Sequence, residues 1–262
     1  MSHNGKLLQC YRTTMNEAVD SLQATDRDEV VRLLETIERQ VYDLRLRQFI
    51  FNRVWSVVSE HPKLATMSSH IFPWLYFGHL EACVMAVRRL CDEDDRTVSL
   101  VRFLLLLKRA PALVSRSAYG ALFPAETVNA PSVPEPVRRL MRERIIENGY
   151  DLTVGVGLDQ PRGKDFRKEI AELKRLASNV ITYANKRVAH HDQEAPSAFA
   201  TVTDLDNFIS RATEIIVKYT LLLKAQTADM NIYFQYDWLA PLRIAWLPEM
   251  PPNLPNGKLE AG

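Results

Sequence analysis

Glycine is scarce in this chain, with 9 among 262 residues, and that scarcity speaks against a sheet-rich fold built on tight turns. Cysteine is scarcer still: Cys10, Cys83 and Cys91 match neither a disulfide framework nor a zinc-ligand spacing. They read as reduced thiols, with Cys83 packed into a helix face. Charge of one sign is missing too. With 33 basic and 32 acidic residues the net charge is +1, so no global field draws the chain to nucleic acid or to a membrane surface. Any anion recognition has to come from a local patch. The longest apolar runs, near Ile71–Phe77 and Phe103–Leu107, fall far short of a bilayer span. The N-terminus MSHNGKLLQC holds no apolar stretch of signal-peptide length, which makes a cytoplasmic location the expectation. The GVG at 155–157 lacks the lysine and the strand context of a phosphate loop, and no cofactor is expected.

What is present is helical periodicity. Residues 1–27 read as a polar leader, weakly helical over Thr13–Leu22, with an N-cap expected at Thr25-Asp26. From Asp28 to Glu60, Val30, Leu34, Ile37, Val41 and Leu44 set out one apolar stripe. Beyond Phe49 that helix turns apolar on most faces, which predicts burial centrally or against a partner. His61-Pro62 should end it. A second helix is expected over Pro73–Asp92, with Leu75, His79, Ala82, Met85 and Leu90 at the helical period and His79 as a satisfied core histidine. The acidic run Asp92–Asp95 reads as a solvated connector, followed by a helix over Val98–Lys108 capped by Thr97. After a proline-rich loop at 120–136, a helix from Glu135 is expected to stop at Asn148-Gly149. Two more helices follow, over Asp165–His190 and Thr203–Ala225. The tail from Asp229, with Tyr233, Phe234, Tyr236, Trp238 and Trp246 among prolines, reads as an irregular arm anchored by its aromatics and ending in disorder past Pro251. The expectation is an all-α bundle of five to seven helices over 28–226, with a leader at 1–27 and an arm at 227–262.

The chemistry concentrates in Tyr183–Asp192. Phe166, Ile170, Leu173, Ala177, Val180 and Ala184 form the core stripe of that helix. At α-helical spacing, Lys186 and His190 share a face, and Arg187 meets His190 and His191. Lys186, Arg187 and His190 together suit binding of a phosphate and movement of a proton near neutral pH, with Asn185 to one side and Asp192 able to orient an imidazole. A metal site from His190, His191, Asp192 and Glu194 is disfavoured, because adjacent histidines point apart on a helix.

Asn185, Lys186, Ala189, His190 and Asp192 match a pattern, RNK…AH.D, in the late helix of HEPN-domain proteins, particularly the branch of the AbiU2 abortive-infection proteins, which the chain resembles. Arg88-Arg89-Leu90-Cys91-Asp92, with Thr97–Leu100 after it, resembles the second helix-and-turn of the same branch. The resemblance covers about residues 30–225. It implies a HEPN-like homodimer whose motif helices meet at a shared cleft, RNA or a nucleotide as substrate, and metal-independent ribonuclease chemistry in a phage-defence or toxin–antitoxin setting, with an antitoxin-like protein as a further partner. On that resemblance His190 is the acid–base residue, with Asn185 and Arg187 as its catalytic neighbours. Lys186, His191, Asp192, Arg88 and Arg89 are then substrate contacts. One departure stands out: the family's phosphate-steadying arginine falls on Ala184. The alternative expectation is therefore a non-catalytic dimeric scaffold of the same fold.

Overall fold

The structure, a computed structural model, describes residues 3–60, 71–124, 133–189, 200–234 and 236–240, with side chains from 27 onward in the first helix and up to 186 before position 190. Its elements are α1 (His3–Glu60), α2 (Ile71–Leu90), α3 (Leu100–Arg109), a 3₁₀ turn (Pro111–Val114), α4 (Arg116–Gly120), α5 (Glu135–Val154), α6 (Gly163–Tyr183), a π-helical segment (Ala184–Ala189) and α7 (Val202–Lys224). Among the described residues there is no strand, so the fold is the all-α bundle expected. No helix is long and apolar enough to cross a membrane, again among the described residues.

α6 sits at the centre, packed against α2, α3 and α7, while α1 closes the bundle against α7, α2 and α3. The α6 stripe from Phe166 to Ala184 is buried throughout, as are Val30, Leu34, Ile37, Val41 and Leu44 of α1. On α7 the expected inward residues Leu205, Phe208, Ile209, Ala212, Ile215, Ile216 and Tyr219 are all buried. α7 begins with a reciprocal cap: Thr201 Oγ1 accepts the Asp204 N–H at 3.1 Å, and Asp204 returns the bond to the Thr201 N–H at 2.9 Å.

Four expectations about the elements are corrected. α1 runs unbroken through Thr25-Asp26. A potential cap residue inside a helix costs only a few tenths of a kcal/mol, too little to break it. The cap of α3 is Ser99, whose hydroxyl oxygen accepts the Arg102 N–H at 3.0 Å; Thr97 instead donates to the Asp94 carbonyl at 2.8 Å. α5 passes through Asn148-Gly149 and ends where Gly155 takes φ 119°. The reason for a glycine inside α5 is tertiary: the Tyr119 hydroxyl occupies the place a Cβ would take at position 149. The buried face of α2 is Leu80, Cys83, Val84, Val87 and Leu90, while Leu75 is 43% exposed. The expected stop at His61-Pro62, Trp246, and the chain beyond Pro251 lie outside the described residues.

Candidate functional site

The regular α-helix of the motif ends at Tyr183, and Ala184–Ala189 continue with π winding. A π turn uses i→i+5 bonds in place of i→i+4. Ala184 is fully buried, the last member of the core stripe. Asn185 is exposed and Lys186 half-buried. The backbone of Arg187 belongs to the π segment; its side chain, together with His190, His191 and Asp192, lies outside the described residues.

Arg88 and Arg89 are placed elsewhere. They line a recess of about 400 Å³ with Gln40, Asp92 and Thr97, which includes neither Asn185 nor Lys186. The pair Lys174–Glu93 ties the turn after α2 to the middle of α6, and α2 also packs on the π segment. α2 and α6 are therefore antiparallel, and Arg88-Arg89 sit level with the middle of α6. From Lys174 to Lys186 is twelve residues, about 18 Å of helix. Arg88-Arg89 and the pair Asn185-Lys186 thus lie at different heights of the same helix pair. Neither arginine side chain makes an ion pair among the described residues. The acidic turn is closed locally: Asp92 Oδ1 accepts the Asp94 N–H at 3.0 Å, and Asp94 pairs with Arg96 at 2.7 Å. That bond to Arg96 lowers the Asp94 pKa.

His79 is held as a core histidine should be. Its Nε2 lies 3.0 Å from Gln48 Oε1, which has no proton, so Nε2–H donates. Gln48 Nε2 in turn donates to Asp206 Oδ1 at 3.0 Å. The imidazole lies flat on Phe51, centroids 4.0 Å apart and 2° between planes. Burial, followed by the Arg47 charge, pulls its pKa down to about 4, so His79 is neutral at pH 7. This relay joins α2, α1 and α7, and of its members only the histidine stands out in the sequence. One signal existed: Gln48 continues the α1 stripe four residues past Leu44, a polar side chain at a core position, and it is 4% exposed.

Around the relay the molecule leaves apolar surface uncovered. Trp74 is 72% exposed and Phe77 52%, on the half of α2 opposite Arg88-Arg89. Phe51, Trp55 and Tyr76 form an aromatic cluster with centroids 5.6–5.9 Å apart. The apolar second half of α1 is thus only partly covered within the chain, with Trp55 40% exposed, so of the two expectations for it, central burial is not met. The arm packs by its aromatics: Phe234 stacks on Phe49 at 5.9 Å, and Trp238 lies tilted against Phe234 at 5.0 Å.

Fold and site together define an all-α bundle whose central helix leaves α geometry at an amide- and cation-bearing end. The HEPN_AbiU2 family model, described as AbiU2, matches residues 27–239, and the chain belongs to this family of HEPN proteins. No curated protein and no solved structure matches the chain.

Proposed function

We propose that this chain is an RNA-acting HEPN protein whose working segment is Asn185–Asp192, in a phage-defence or toxin–antitoxin setting, and that it works as a homodimer. The observation that carries the reading is the π winding of Ala184–Ala189, located on the motif itself. π segments are rare and concentrate at functional sites. Here the winding sets an exposed Asn185 and a half-buried Lys186 at the end of a well-buried helix. In this reading His190 takes the proton of the attacking 2′-hydroxyl or returns one to the leaving oxygen, Arg187 and Lys186 carry the phosphate charge, and no metal takes part. The test is incubation of the chain with a mixed RNA pool beside His190→Ala. Cleavage by the wild type and none by the variant is expected; equal cleavage, or none by either, removes the enzymatic part.

A second reading is favoured by one specific observation. Ala184, where the family carries arginine, is fully buried, so that position presents no charge to a phosphate. Loss of one preorganised donor at a transition state costs on the order of 10²–10³ in rate. A non-catalytic module of the same fold, docking an antitoxin-like protein, fits that loss. Retention of a protein partner with no RNA after high-salt washing distinguishes it from salt-sensitive RNA binding.

A further inference from the structure

A cleft of about 860 Å³ lies between α1, α7 and the arm, and neither of the motif residues with described side chains, Asn185 and Lys186, lines it. Its floor is the outer end of the His79–Gln48–Asp206 relay. Gln48 is buried and has both amide atoms committed, its oxygen to His79 and its nitrogen to Asp206 at 3.0 Å. Asp206 is therefore held in one orientation, with a single carboxylate oxygen engaged among the described residues. An ionised carboxylate only accepts, so its remaining capacity calls for N–H or O–H donors on a ligand. Two further lining groups, the Asn52 amide and the Arg45 guanidinium, make no hydrogen bond or ion pair among the described residues. The wall on the arm side is Tyr233, 72% exposed. Buried Ala228 and Met230 and the Asn231 N–H to Asp229 Oδ1 bond of 3.0 Å fix the arm that carries it.

These groups select a ligand by chemistry and by size. Tyr233 offers a flat stacking face, Asp206 an acceptor, Asn52 a mixed donor and acceptor, and Arg45 a fixed positive charge. Arg45 and Asn52 are seven residues apart on α1, about 10 Å along its axis. A ligand joining them needs a planar ring with N–H donors on one edge and an anion at the far end. The volume lies in the range of roughly 300–1,000 Å³ usual for sites of drug-sized ligands, and a zwitterionic amino acid would leave most of it unfilled. We infer that this cleft binds a purine nucleotide of guanine type, with ring N–H donors on Asp206, the base on Tyr233 and the phosphate on Arg45. Guanine presents two adjacent N–H donors to a carboxylate. Adenine presents one donor beside a ring nitrogen that would face the carboxylate lone pairs. The assignment rests on these lining groups alone and stands whether or not the chain cuts RNA.

The test is calorimetric titration of the full chain with GMP, guanosine and AMP. Saturable GMP binding is expected, with AMP weaker by about tenfold for the lost donor. Arg45→Ala should weaken GMP by about tenfold and leave guanosine unchanged. Asp206→Asn should weaken GMP and guanosine alike. Should Asp206→Asn fail to fold, Tyr233→Ala, at an exposed arm position, should also weaken both. Absence of saturable GMP binding, or GMP binding by Arg45→Ala and Tyr233→Ala equal to that of the wild type, would each overturn the assignment.

Discussion

His79 carries a pH signature that can be read directly. Its folded pKa is about 4 against an ordinary 6.5, chiefly through burial. Between those values the unfolded chain binds a proton that the folded chain refuses. Stability from this group is therefore full above pH 6.5 and is lost as pH falls toward 4. For a half-buried side chain the effect is about 1–2 kcal/mol after allowance for solvent screening. Urea denaturation at pH 7 and pH 5 should show that loss in the wild type and a smaller one in His79→Gln; identical slopes with pH would place the acid sensitivity elsewhere. Ala184 makes the second prediction at this scale. It is fully buried, so Ala184→Arg restores the family's residue at the cost of forcing a charge into a packed stripe. A destabilisation of about 3 kcal/mol or more is expected, measured by denaturant midpoint. Unchanged stability with a gain in RNA cleavage would show that position 184 opens onto the cleft.

At the scale of elements, Gly149 in α5 gives a sign that decides between two accounts. In an ordinary helix interior, Gly→Ala stabilises by roughly 0.5–1 kcal/mol. Here the Tyr119 hydroxyl fills the Cβ position, so Gly149→Ala should destabilise by about 1–3 kcal/mol, read from the thermal midpoint. Stabilisation would mean that Tyr119 moves without penalty. The same helix shows where sequence reading stops. Asn148-Gly149 has the composition of a helix end, and only a contact with Tyr119, thirty residues earlier, keeps a glycine there. The long stripes were legible because burial follows period: Phe166 to Ala184 and Leu205 to Tyr219 are all inside. α4 and the 3₁₀ turn are too short to carry a period, and their order rests on long-range bonds such as Tyr150 Oη to the Val114 and Asp159 carbonyls at 3.0 and 2.9 Å. The motif was legible as composition but not as geometry. Nothing in its α-helical periodicity marks the π winding that begins at Ala184.

For the whole molecule, a net charge of +1 supplies no global attraction to a polyanion, so in the RNA-acting reading the charge-dependent part of the affinity comes from the few cations around Asn185–Asp192. Binding should weaken with salt in proportion to a small number of released counterions, a shallower slope than that of proteins making six to ten phosphate contacts. Exposed Trp74 and Phe77 on α2 offer stacking faces that do not depend on charge. The ribonuclease reading assigns the proton transfers to His190 and the phosphate charge to Arg187 and Lys186. Cleavage in a metal-free buffer with EDTA should therefore equal cleavage in magnesium, and a rate that collapses on chelation would demand a metal site. The most direct measurement is the cleavage of a defined single-stranded RNA by the full chain and by His190→Ala under those chelating conditions. The account predicts product from the wild type and a loss of about 10²-fold or more in the variant. Equal rates in the two proteins would contradict it.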